Sequence, residues 1–136
     1  MDEPREQIKA KAKPYIDFLH SKGLQSYVDE FVHDGNDKDL YQWRIKYGDV
    51  DFWVADLCAG GTGNYHFKPI VYKCRWVKGK NGKLYFSEMA IRNTNEYAKY
   101  DIKDFEDFKN KINKVMMIIK TGVNKKRELV AAQDFV

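Results

Sequence analysis

Cysteine is nearly absent: Cys58 and Cys74 are the only two in 136 residues, and they are far apart. A disulfide framework needs more, and a zinc site needs close spacing, so neither is expected. The three histidines, His20, His33 and His66, show no ligand spacing. No metal or cofactor is expected. There is no run of about 18 apolar residues to span a bilayer. The opening Met1-Asp2-Glu3-Pro4 has no basic start running into an apolar stretch, as a secretory signal would. These features favour a cytoplasmic protein with reduced thiols and no membrane contact. Also missing are the Lys-Ser/Thr of a P-loop, a dinucleotide fingerprint and the aromatic signature of an RNA-recognition motif.

Aromatic residues are plentiful at 15%, and charged residues reach 32% with a formal net charge of +4. The length suits one domain over residues 1–136, long enough to bury a core. Two apolar-rich runs between Pro69 and Ile91 are joined by Lys80-Asn81-Gly82-Lys83. Asn-Gly predicts a type I′ hairpin. Setting Lys80 opposite Lys83 pairs Trp76 with Ser87, Cys74 with Met89 and Tyr72 with Ile91 on one face. The other face then pairs Val77 with Phe86 and Arg75 with Glu88. A second hairpin is expected over residues 40–57, where Gly48-Asp49 suits a type II′ turn. It sets Ile45 against Phe52 and Trp43 against Val54 on the buried side. Lys46 with Asp51, Arg44 with Trp53 and Leu40 with Leu57 share the other side.

Helical spacing of Ile8, Ala12, Tyr15 and Leu19 predicts a helix over 3–21, kinked or divided at Pro14 and ended by Gly23. Residues 24–33 fit a second short helix by spacing, and their β-branched and aromatic content would also suit a strand; the helix is preferred. The spacing of Ile102, Phe105, Phe108, Ile112, Val115, Met116 and Ile119 predicts a long helix over 102–120, capped by Asp101 or Asp104 and stopped at Gly122. Residues 59–68 and 92–100 read as loops. A basic tail over 122–136, with Lys125-Lys126-Arg127, can add a short helix. The expected fold is α+β: a four-stranded antiparallel sheet of two hairpins, with the long C-terminal helix on its aromatic face and N-terminal helices beside it or on the second face.

Charge divides along the chain. Residues 29–58 hold eight acids against three bases, whereas 66–92 hold seven bases against one acid. Two neighbouring hairpins of opposite charge would explain this as ordinary surface pairing. A more specific reading takes the second sheet face as a surface for single-stranded nucleic acid. Arg44, Lys73, Arg75, Lys78, Lys80 and Lys83 would meet phosphates, and Trp53 and Phe86 would stack on bases. Val71, Val77, Leu84, Leu40 and Leu57 share that face. They weigh toward its being covered, with Trp53 and Phe86 in the core.

Gly60, Gly61 and Gly63, with His66 beside them, form a candidate ligand loop, although a plain connection suits them better. A triad of His66 with Cys58 or Thr62 and Asp56 is a geometric possibility only, so no catalytic residue is assigned. The Asp34-Gly35-Asn36-Asp37 stretch fails as a calcium loop because Lys38 falls at a ligand position. The functional expectation is a small non-enzymatic binding module for nucleic acid. The alternative is a protein-interaction module such as an inhibitor, adaptor or immunity-type protein, with a small-ligand binder or enzyme ranked behind both.

Overall fold

The computed structural model describes residues 5–26, 32–33, 38–60, 66–94 and 96–133. The chain opens with helix α1 (Arg5–Ser21). Pro14 neither divides nor ends it, because Pro14 and Ala10, the residue whose carbonyl it leaves without a helical donor, both face solvent. The helix closes as the glycine predicts. Gly23 takes φ 74°. Its amide donates to the His20 carbonyl at 3.0 Å, and the Leu24 amide donates to the Leu19 carbonyl at 3.2 Å. This is a Schellman closure, with Leu19 and Leu24 both buried.

The helix expected over 24–33 is corrected. Strands β1 (Gln25–Ser26) and β2 (Val32–His33) stand there, both pairing with β3 (Lys38–Tyr47). At these four residues pairing with the long β3 strand prevailed over helical spacing. Residues 27–31 and the Asp34–Asp37 stretch lie outside the described residues.

β3 turns at Gly48, which has φ 61°, into β4 (Val50–Gly60). Next to the turn the pairing is as expected: Tyr47 with Val50, Lys46 with Asp51, Ile45 with Phe52 and Arg44 with Trp53. A bulge then shifts the register, so Trp43 faces Ala55 rather than Val54 and Leu40 faces Cys58 rather than Leu57. Val54 and Ala55 are both fully buried, consistent with an extra residue accommodated at a bulge.

β5 (His66–Tyr72) pairs with β4, and β6 (Cys74–Lys78) continues the same run after a break at Lys73. β6 pairs only with β7 (Leu84–Glu88). β8 (Lys99–Tyr100) returns to β5. The two hairpins therefore do not share one four-stranded sheet. The main sheet runs β1-β3-β4-β5-β8, with β2 also on β3, and β6-β7 is a separate two-stranded sheet. At the junction the Lys73 amide donates to the Ala98 carbonyl at 2.9 Å. The loops expected over 59–68 and 92–100 are corrected at their edges. Ala59, Gly60, and His66 to Lys68 are ladder residues, as are Lys99 and Tyr100.

Helix α2 (Phe105–Gln133) is far longer than expected, passing through Gly122 and absorbing the basic tail. Asp104 caps it, its Oδ1 accepting from the Asp107 amide at 2.8 Å. That amide contact is one of a pair: the Lys103 amide donates to Asp107 Oδ2 at 3.0 Å and is the main reason the Asp107 carboxyl is held below its usual range.

Both helices pack against each other and against the sheet's inner face. Tyr15 of α1 lies 4.8 Å from Phe108 of α2 and 5.0 Å from Phe67 of β5, between ring centroids. One cluster joins Ile8 and Leu19 to Trp43, Phe52, Leu57 and Val71, and to Phe108, Ile112 and Ile119. Each such side chain contributes roughly 1.5–3 kcal/mol on burial. The N-terminal helix thus occupies the first of its two expected positions, beside α2, leaving the outer sheet face to other groups. Arg44 lies over the half-buried Trp53 ring at 5.3 Å on that face, as expected. Farther along it closes, with Asp56 5% and Ile70 9% exposed.

Candidate nucleic-acid interface

The β6-β7 hairpin does not have the expected two-residue turn. The Gly79 amide donates to the Lys83 carbonyl at 2.8 Å, and the Gly82 amide to the Gly79 carbonyl at 3.0 Å. Gly82 alone in the turn takes positive φ, at 78°. This is a three-residue loop with its glycine in the left-handed position. The register moves by one residue as a result: Trp76 faces Phe86, Val77 faces Tyr85, and Arg75 faces Ser87.

That slip reassigns every side chain of β7. Phe86, expected on the open face, points into the core, 5.2 Å from Phe52 and 5.5 Å from Trp76 between centroids. Trp76 docks on α2 as expected, its Nε1 donating to the Ile118 carbonyl at 2.9 Å. A helix carbonyl retains a second lone pair for such a donor. Tyr85, expected on the buried face, is instead 49% exposed, and its cross-strand partner Val77 is 40% exposed. The Arg75–Glu88 pair does not form.

Tyr85 is exposed but held. Its ring lies so close to Gly79 that a Cβ there would come within 2.8 Å of it. Asn81 Nδ2 donates to the Tyr85 hydroxyl at 2.9 Å, while Asn81 Oδ1 accepts from the Lys83 amide at 3.0 Å. The turn that sets the register therefore also fixes the aromatic ring.

The cations of this hairpin differ from those of the first. Arg44 and Lys46 meet Asp51 at 3.8 and 4.0 Å. Lys126 meets Asp49 at 2.5 Å, which is the largest reason the Asp49 carboxyl is held below its usual range. Arg127 lies over Tyr47 at 5.7 Å. The basic tail is thereby engaged with the β3-β4 turn. Arg75, Lys78, Lys80 and Lys83 are exposed and meet no carboxylate among the described residues. Lys73 sits apart at the β5-β6 break, 5.2 Å from the Tyr100 ring.

Register thus places Arg75, Val77, Lys83 and Tyr85 on one face of the hairpin, with Lys78 opposite Leu84 on the other face and Lys80 in the turn. Arg44 and Trp53 belong to the main sheet, and Phe86 is lost to the core. Sequence reasoning missed Tyr85, Asn81 and Val77. The available signal was the cleaner alternation obtained when Trp76 faces Phe86, which puts Cys74, Trp76, Leu84 and Phe86 all on one side.

The candidate ligand loop lies mostly outside the described residues, including Gly61 and Gly63. Gly60 and His66 pair with each other in the β4-β5 ladder. Asp56, Cys58 and His66 fall on one face by register, but the Tyr72 hydroxyl donates to the Asp56 carboxylate. No cluster of three metal-ligating side chains occurs among the described residues, and no helix there is long and apolar enough to cross a membrane. No known protein family, curated protein or solved structure matches the chain.

Proposed function

We propose that the protein is a non-enzymatic binding module for single-stranded nucleic acid, with the β6-β7 hairpin as its contact surface. The observation that carries this reading is Tyr85, held over Gly79 by Asn81, with Arg75 and Lys83 on its face of the hairpin and Lys78 and Lys80 exposed on the same β6-β7 unit. A pre-positioned ring offers a stacking surface at little ordering cost, and unpaired cations exchange counterions for phosphates.

A fluorescent single-stranded oligonucleotide, titrated at several salt concentrations, tests the proposal. Three or four phosphate contacts give a log–log salt slope of about −2 to −3. Tyr85→Ser is expected to weaken binding about tenfold with the slope unchanged, since one stacked base is worth about 1–3 kcal/mol. Replacing Lys78, Lys80 and Lys83 by Gln should flatten the slope by about 2. Absence of binding at low salt would end this reading.

The same hairpin supports a second reading as a protein-interaction module. Val77 and Tyr85, cross-strand partners, are 40% and 49% exposed, so two large apolar groups lie side by side on one open face. A stoichiometric protein partner recovered by affinity capture and retained after nuclease treatment would favour it over nucleic acid.

A further inference from the structure

Between the tip of the β6-β7 hairpin and the C-terminal part of α2 runs a groove of about 390 Å³. Leu84 and Tyr85 form one side, Leu129 and Val130 the other, and Gly82 and Lys83 the rim. Gly82 leaves its corner open, with no atom within 4 Å of where a side chain would begin. Lys126 also lines the groove, but its ammonium is bonded to Asp49, so Lys83 is the free cation at this site among the described residues. Val130 is 53% exposed although it faces an apolar groove.

We propose that this groove receives one unpaired nucleobase of a bound single strand, with the adjoining phosphates on Lys83 and Lys80. The inference rests on the hairpin reading above and adds to it a requirement for an unpaired base. The chemistry matches on each side. An aromatic edge and aliphatic walls suit the flat face of a base and offer little to a sugar or a free phosphate. Lys83 lines the groove and Lys80 lies two residues before Gly82 in the adjoining turn, so cations flank the path of an inserted nucleotide's backbone. A base held in a duplex is stacked on both faces and must first be extruded, at a cost of a few kcal/mol. The groove therefore separates single strands from duplex, which the exposed lysines alone do not do.

The test compares a single-stranded oligonucleotide with a blunt duplex of the same sequence, by fluorescence anisotropy, on the wild-type protein and on Val130→Trp. The substituted side chain occupies the groove from a solvent-exposed helix position, and an unchanged thermal unfolding midpoint verifies that the fold is retained. Wild type is expected to favour the single strand about tenfold or more, and Val130→Trp to lose about tenfold on the single strand and nothing on the duplex. Lys83→Gln, which leaves the walls intact, should weaken both substrates equally. A Val130→Trp variant with full single-strand affinity overturns the groove proposal and leaves the hairpin reading standing, whereas equal binding of single strand and duplex by wild type overturns both. No binding of either oligonucleotide overturns both.

Discussion

Gly122→Ala is expected to destabilise the protein by about 2 kcal/mol or more, although alanine is the better helix former by about 1 kcal/mol. Gly122 lies inside α2, buried, with the Trp76 indole against its backbone. A Cβ there would stand 1.9 Å from Trp76 Cε2 and Nε1. The indole cannot easily move aside, since Phe86 packs edge-on against it and its Nε1 is bonded to the Ile118 carbonyl. The variant must displace the whole hairpin from the helix or push the helix outward. Chemical denaturation measures the loss. Pairing Gly122→Ala with Trp76→Ala should recover part of it, because the second change removes the obstructing ring. A more stable Gly122→Ala protein would show that Trp76 does not sit on this glycine.

Tyr72→Phe is expected to cost about 2 kcal/mol at neutral pH, the usual worth of a hydrogen bond to a charged group. Asp56 is only 5% exposed, so a carboxylate that loses a donor has little water to replace it. The same pair shapes the alkaline limb. Burial first, and then the Asp56 carboxylate, push the Tyr72 hydroxyl far above its ordinary value of 10.0. Burial, with help from Glu88, pushes the Cys74 thiol up to about 11 from 9.0. Both groups hold their protons more tightly folded than unfolded. Their stabilising effect is complete below the unfolded values and is lost as the medium turns alkaline, from about pH 9 for Cys74 and pH 10 for Tyr72. Stability of the wild type should fall by up to about 1.4 kcal/mol per pH unit for each group, between about pH 9 and 11 for Cys74 and above about pH 10 for Tyr72, and Tyr72→Phe should remove the second share. An alkaline limb unchanged by Tyr72→Phe would refute the assignment.

Much of the fold was legible in the sequence because several independent signals agreed. The stripe from Ile102 to Ile119, the acids at the start of α2 and the glycine after α1 all did what their chemistry requires. The failures have separate causes. Gly122 reads as a stop because nothing local reveals that Trp76, 46 positions earlier, needs the space its missing side chain leaves. Asn81-Gly82 admits both a two- and a three-residue turn, and the choice is made by the docking of Trp76 and Phe86 rather than by the turn. The division of one extended run at Lys73 depends on pairing with β8, a strand of two residues that leaves little periodic trace. The candidate interface was half visible. Its lysines were in view, but its aromatic ring was hidden behind a single step of register.

The seat of Trp76 also bears on the order in which the chain can assemble. The hairpin carrying this ring is complete in the growing polypeptide well before α2 has emerged, since the carbonyl that receives its indole lies 42 residues downstream. During synthesis the inward aromatics of β6 and β7 must therefore wait in solvent. A nascent chain arrested before Ile118 would present Trp76 and Phe86 as an adhesive surface, to be withdrawn only when the middle of the final helix, from Ile118 to Gly122, leaves the ribosome.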